Sequence, residues 1–572
     1  MSSKNLLRKL NRVLHTRHQL YTSGMRSLLS DLRRSAHDFG AVYGAVRQWW
    51  RDIGSGVEGR ARLQQQCERE VQHETMRQDA IKGSSLTSSK MPPRRIWDLY
   101  SNRVLPFAVI PLRFPRPTLP WLLNEEKDLP GGLCTVSHSW VEEENRENVW
   151  TPINGSMWPV PTPRSTSLEH VRIELLNMGA EYVWLDILCL RQQGHKKDEA
   201  QRRAEWMVDV PTIGFIYTGK IGLASPRPCV IYFNGLGLPL DVSPGSVASD
   251  RHWFNRVWTM QETVHSWLPG GLTGGPVAGA GEVFSRLETL FKPQRLDIMA
   301  RDIMGRKYTK ELDAIAGLAY CLGCNSLPLY DETMPLEHSW QLLLKHISPI
   351  SRAHISLRYP AAHTPFPILP SWDAFTATAP LGPDELHVVH LAPVDSSQLH
   401  STEPGQYHHI ARVLGPCRFS APHSHPARGD SAPELLVSAL ADGVQTLGLK
   451  PLDMHGIVLR DVPYMLVYFP GEAYDWTVFM CWGVVEVMDE QSSQLPDESE
   501  IKMTAARSAV LLLTKEESAK LRGLQTGDEW ERRRRLKYIT GEEAVRRSRH
   551  GERYTAALEE MRASRKSFMI LP

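Results

Sequence analysis

Apolar positions recur at helical spacing from the start of the chain, as Leu6, Leu7, Leu10, Val13 and Leu14 and then as Leu28, Leu29 and Leu32. Residues three and four apart share one face of an α-helix, so these runs predict helices with a buried stripe. The arginines between them give a basic outer face. Residues 1–90 therefore read as an Arg-rich helical extension. Asp31 is the only acidic residue in the first 36, a composition that mitochondrial targeting segments share. The carboxylates of "CEREVQHE", which continue the helical pattern, favour a solvated or partner-binding arm instead.

The pattern then changes twice. Pro92, Pro93, Pro106, Pro111, Pro115, Pro117 and Pro120 interrupt both helix and central strand and predict a linker over 91–130. Beyond it, strand-like and helix-like runs alternate. "LCTVSHSW" (133–140), "EYVWLDILCL" (181–190) and "PCVIYFN" (228–234) read as buried strands. "SLEHVRIELLNMG" (167–179), with Leu168, Val171, Leu175 and Leu176 on one stripe, and "DEAQRRAEWMVDV" read as helices. Alternation of this kind implies parallel strands joined by right-handed crossovers, a three-layer α/β domain over 131–350 with a flavodoxin-like parallel sheet.

Within that domain "WFNRVWTMQETV" (253–264) predicts a further helix. Trp253, Val257, Met260 and Val264 supply its core stripe, while Phe254, Trp258 and Glu262 form a second line one turn apart. A surface helix needs one apolar face, so the second line is expected to face protein or a ligand. Residues 240–285 are dense in Gly and Pro and read as a loop, without a phosphate-binding fingerprint. Helix returns over 311–347, a β-rich unit is expected over 370–495, and a charged helical tail over 500–572, including the run Arg532 to Arg535.

Composition narrows the function. The 572 residues are 42% hydrophobic and 23% charged, an ordinary globular balance, and a net charge of +2 gives no electrostatic case for nucleic acid. No run approaches the roughly 20 apolar residues that span a bilayer, so a cytoplasmic protein without a transmembrane segment is expected. Most of the 8 cysteines sit in apolar runs, and the single CxxC, Cys321 and Cys324, lacks the second pair of a zinc site. No metal is expected.

Three segments, in this order, resemble the fungal heterokaryon-incompatibility (HET) domain: "TVSHSW" (135–140), "YVWLDILCLRQ" (182–192) and "RHWFNRVWTMQE" (251–262). A fourth, "ELDAIAGLA" (311–319), is similar to an Asp-containing segment that follows in many such proteins. Val141 and the consecutive Glu142, Glu143 and Glu144 stand where family members commonly carry a Gly after the first-motif Trp. The resemblance implies a role in self/non-self recognition and regulated cell death. It also implies a fold distantly similar to the Toll/interleukin-receptor (TIR) domain, some members of which cleave NAD with a Glu in a Trp-x-x-x-Glu setting. Trp258 and Glu262 have that spacing, so the resemblance assigns Glu262 as the catalytic residue and NAD as a candidate substrate, with no cofactor. Homo-oligomers and other signalling proteins are the partners it implies. A non-enzymatic, self-associating adaptor is the alternative.

In an open parallel sheet, ligands bind beyond the carboxyl ends of the strands. Ser137, His138 and Ser139 end the first predicted strand, and Arg191 and Gln192 the second. Together with Trp140, Asp186, Arg256 and Trp258 they are the expected substrate-binding residues. The arginines suit a pyrophosphate. Each also has a structural reading. Asp186, a charge in a buried strand, needs a partner, with a helix N-terminus, Arg251 and Arg256 as candidates. His138 is either a general acid or base or a satisfied strand-end histidine. Glu262 is either a site carboxylate or a cap or ion-pair partner.

Overall fold

A computed structural model describes residues 1–110, 133–217, 228–262, 267–272, 281, 284–285, 305–308, 310–322, 324, 326–359, 369–377, 400–403, 406–420, 435–440, 445–469, 479–491, 501–524, 533–538, 541–564 and 568–571. The chain forms two compact units, residues 1–294 with 298–334, and 335–572 with 295–297.

The first unit begins with α1 (Ser3–Leu14), α2 (Met25–Ser35), α3 (Phe39–Val46) and α4 (Gly56–Ala80). Ser2, Asp38 and Ser55 cap α1, α3 and α4 by accepting from backbone N–H groups that a helix start leaves unpaired. The predicted leucines close one core with Trp50, and Val13 alone of that set faces outward, 46% exposed. The starts of α2 and α4 touch backbone to backbone: a Cβ at Gly56 would lie 2.1 Å from the nitrogen of Met25, so only glycine fits.

These helices are part of the unit and not an arm. Arg47, just after α3, bonds Asp98 and Glu181 and lies between the rings of Tyr100 and Tyr182, 4.9 Å from each. Asp98 is fully buried, so the pair replaces the water that both charges lose.

The first unit's main sheet has six strands among the described residues: β1 (Arg95–Asp98), β2 (Arg103–Pro106), β3 (Leu133–His138), β4 (Tyr182–Leu185), β5 (Cys229–Tyr232) and β6 (Trp267–Pro269). Their order is β6-β5-β3-β4-β1-β2, with the four from β6 to β4 parallel and β1 paired antiparallel to both β4 and β2. The class is α/β. Every residue of β3, β4 and β5 is buried, and Leu168, Val171 and Leu175 of α5 (Leu168–Asn177) pack in their core. Strand β3 is central: the chain leaves it for β4 on one side and then crosses to β5 on the other.

Two expectations change here. The first half of the expected proline linker holds β1 and β2, because β1 contains no proline and Pro106 ends an outermost strand, where a missing N–H is tolerated. Residues 111–130 lie outside the described residues. The expected strand over 181–190 stops at Leu185, where Asp186 opens a single helical turn, Asp186–Cys189.

In the second unit, strands Gln406–Ser420, Asp453–Leu459, Tyr464–Phe469 and Phe479–Gln491 form a sheet where β structure is expected. The tail departs from expectation. Ile501–Thr514 is a strand paired along Phe479–Gln491, and Arg533–Tyr538, which contains Arg533, Arg534 and Arg535, is another. Leu511 and Leu513 are buried in one core and Val510 and Leu512 in a second, so both faces are covered and the alternation that marks a half-buried strand is missing. No helix among the described residues is long and apolar enough to cross a membrane.

Candidate functional site

Residues 253–262 do not form the expected α-helix. Two 3-10 turns, Trp253–Asn255 and Trp258–Met260, flank an extended Arg256. The backbone around Arg256 pairs with Lys307: Lys307 N–H donates to Asn255 O and Val257 N–H to Lys307 O. The Thr259 hydroxyl bonds the carbonyls of Trp253 and Arg256, both at 2.7 Å. Tertiary pairing thus overrides a clear helical periodicity. Phe254, Trp258 and Glu262 consequently do not form one line. Phe254 is buried against Phe233, Trp253 and His252, and Trp258 turns to Tyr330 (ring centroids 6.0 Å apart) and to Asp313 of the helix Glu311–Cys321.

Glu262 turns inward. Its carboxyl accepts a hydrogen bond from Ser137 Oγ, at the carboxyl end of β3, and the Ser137 oxygen in turn accepts from Trp253 Nε1 at 2.6 Å. Ser137 and Trp253 are fully buried, and Glu262 is 8% exposed. Burial pushes the Glu262 carboxyl up to about 8; the Ser137 hydrogen bond opposes the shift, the charge of Asp186 adds to it, and His138 opposes it.

Beside this relay stands a second pair. His138 Nε2 lies 2.9 Å from Asp186 Oδ1 and His138 Nδ1 lies 3.1 Å from the carbonyl of Ser139. Both ring nitrogens face acceptors, which only the doubly protonated imidazolium satisfies. The titration direction agrees: burial lowers the His138 pKa, but Asp186, the Ser139 carbonyl and Glu262 outweigh it and the net shift is upward. Asp186 is also fixed by the Ile187 N–H at 2.7 Å. Tyr217, whose hydroxyl donates to Val136 O at 2.9 Å, has its own ionisation suppressed by burial and then by the charges of Glu262 and Asp186.

The other expected residues divide. Trp140 stacks on His138 (centroids 5.9 Å apart) and belongs to the site. Gln192 braces it from behind, donating to the carbonyls of Asp186 and Leu190. Arg191 does not face Glu262. It pairs with Glu205 at 3.3 Å, which also holds Arg95 at 2.8 and 2.9 Å, and both guanidinium groups lie 5.1 Å from the Trp158 ring. Asp186 takes His138 as its partner instead of Arg251 or Arg256. Arg256 makes no side-chain hydrogen bond among the described residues and shares its surroundings with Arg146, Arg251, Glu142 and Asp313.

Sequence reasoning placed Trp253 in the core, which is correct for its ring and misses its indole N–H. A buried Trp needs an acceptor for that one polar atom, and Ser137 was the polar strand residue able to supply it. Tyr217 and Arg146 carry no comparable signal. Among the described residues no group of three His, Cys, Asp or Glu side chains is arranged to hold a metal. The assembled groups are those of acid–base and electrostatic chemistry: a buried carboxyl that titrates near neutrality, a hydroxyl bonded to it, and an imidazolium–carboxylate pair alongside. Compared with known protein families, curated proteins and solved structures, the chain finds no match.

Proposed function

We propose that this protein is a HET-type signalling protein of self/non-self recognition and regulated cell death, acting in the cytoplasm through homo-oligomers and other signalling proteins. Its α/β module hydrolyses NAD at the nicotinamide–ribose bond. The single observation that carries the reading is the Glu262 carboxyl, buried and hydrogen-bonded to Ser137 where the central parallel strand ends. The order of the parallel strands, with the first in the chain flanked by the second and third, supports flavodoxin-like and TIR-like layering, in which ligands bind at the β3/β5 switch.

In this reaction the C1′–N bond breaks, neutral nicotinamide leaves with the bonding pair, and positive charge develops on the ribose. Water adds to C1′ and loses a proton, giving ADP-ribose. Ionised Glu262 stabilises the ribosyl cation and takes the water's proton. A pKa of about 8 leaves roughly a tenth of Glu262 ionised at pH 7. That value already includes the opposing charge of the His138 imidazolium. The test is nicotinamide release from NAD by the full chain, with Glu262→Gln as the control.

One observation favours the adaptor reading: Trp253, Ser137 and Glu262 satisfy one another, as a purely structural cluster does. Under that reading Glu262→Gln unfolds or loosens the domain and no nicotinamide is released by any form.

A further inference from the structure

Three arginines from two segments, Arg146 and the pair Arg251 and Arg256, act on Glu142, two residues beyond Trp140. Arg146 lies 5.1 Å from the Trp140 ring, on the tryptophan that itself stacks on His138. Arg251 holds Glu142 through two bonds of 2.7 Å, with the Arg251 side chain 35% exposed. Arg256 is 9% exposed, yet among the described residues its guanidinium makes no hydrogen bond or ion pair. The charges of Arg251 and Arg146 both act on Arg256, and the same three arginines act on Glu142, which ties the four groups into one cluster.

Such a cluster costs the fold something. A guanidinium taken largely out of water without a carboxylate beside it is unfavourable, and like charges add to the cost. Glu142 is bound to Arg251, and Asp313, also near Arg256, already serves Tyr330 at 2.8 Å and the Lys310 N–H at 3.1 Å. Glu143 and Glu144, though close in sequence, are exposed and make no ion pair among the described residues. The local excess is positive, and forked N–H donors match the oxygens of phosphate groups.

We propose that Arg256, with Arg146 and Arg251, is an anion subsite for the diphosphate of a dinucleotide whose ribose lies toward Glu262. The inference rests on the reading of Glu262 as the reacting carboxylate for its orientation, and on the arginines alone for its chemistry. The Trp140 ring has neighbours from both halves, His138 at 5.9 Å and Arg146 at 5.1 Å. Binding frees Arg251 from Glu142 only if the phosphate competes for the same donors. Affinity for a diphosphate is therefore expected to rise in Glu142→Gln.

The experiment is calorimetric titration of the full chain with ADP and with adenosine. ADP should bind at least tenfold tighter than adenosine. Arg256→Gln and, on the more exposed side, Arg146→Gln should each weaken ADP about tenfold or more while leaving adenosine unchanged, and Glu262→Gln should keep ADP binding. Equal affinity for ADP and adenosine, or ADP binding unaltered in both arginine variants, overturns the subsite. If ADP binding depends on the arginines but no nicotinamide is ever released, the subsite stands and the cleavage reading falls. If nicotinamide is released while both arginine variants bind ADP like the wild type, the subsite falls and cleavage stands.

Discussion

Ser137 and Glu262, 125 positions apart in sequence, meet in the interior of the first unit, where the serine hydroxyl donates to the carboxyl and accepts from Trp253. A carboxyl held this way, without an arginine or lysine among its partners in the described residues, is unusual for a merely structural acid, which is normally paired. It defines what the site is able to do and what it costs.

That cost has a pH signature. The Glu262 pKa rises from 4.5 to about 8, so between those values the folded state holds a proton that the unfolded chain has lost. The group's contribution to stability is full below about pH 4.5 and declines as pH rises through 8, by on the order of a few kcal/mol. His138, shifted upward, works in the same direction. Melting curves of wild type and Glu262→Gln from pH 5 to 9 should diverge, with the variant gaining on the wild type at alkaline pH. Parallel curves contradict the shift.

Ser137→Ala removes a donor and an acceptor at once, leaving the Trp253 indole N–H and the Glu262 carboxyl buried without this partner. The expected loss is about 1–3 kcal/mol in denaturant unfolding. Because Ser137 holds the Glu262 pKa down, its removal also moves the alkaline decline to higher pH.

Asp186→Asn tests the imidazolium. His138 loses the largest of the contributions that together outweigh its burial, and its titration, followed by the ring proton resonance, should move to lower pH. Stability falls by between about 1 and 3 kcal/mol, less than for a sealed pair because the Asp186 side chain is 22% exposed. An unmoved histidine resonance would sink the assignment.

Arg191→Met separates frame from site. Glu205 retains Arg95, so unfolding free energy should drop by about 1–3 kcal/mol while ADP binding stays as it was. A selective loss of ADP binding would return Arg191 to the substrate.

The sequence carried much of this fold where one rule dominated. Strands β4 and β5 are unbroken apolar runs, β3 is rich in β-branched and small buried residues, and α5 has a cap, a stripe and a glycine stop, with Gly179 at φ +81°. Legibility failed where distant partners decide. The helical pattern gives way over 253–262 to pairing of Arg256 with Lys307, 51 positions on, and the tail strands are covered on two faces by two different cores. The site was half legible. Ser137, His138, Asp186 and Glu262 were found and do meet, while Arg191 and Trp258 were misdirected because nothing local marks Glu205 or Asp313 as their partners. Trp253 was hidden by its bulk: a large apolar ring masks its one donor.

The most direct measurement is nicotinamide release from NAD by the full chain between pH 6 and 9, free and forcibly oligomerised. The account predicts release that climbs with pH toward a plateau above about 8 and falls at least a hundredfold in Glu262→Gln, a variant that still melts cooperatively. Absence of release in every state, or equal release by Glu262→Gln, contradicts it.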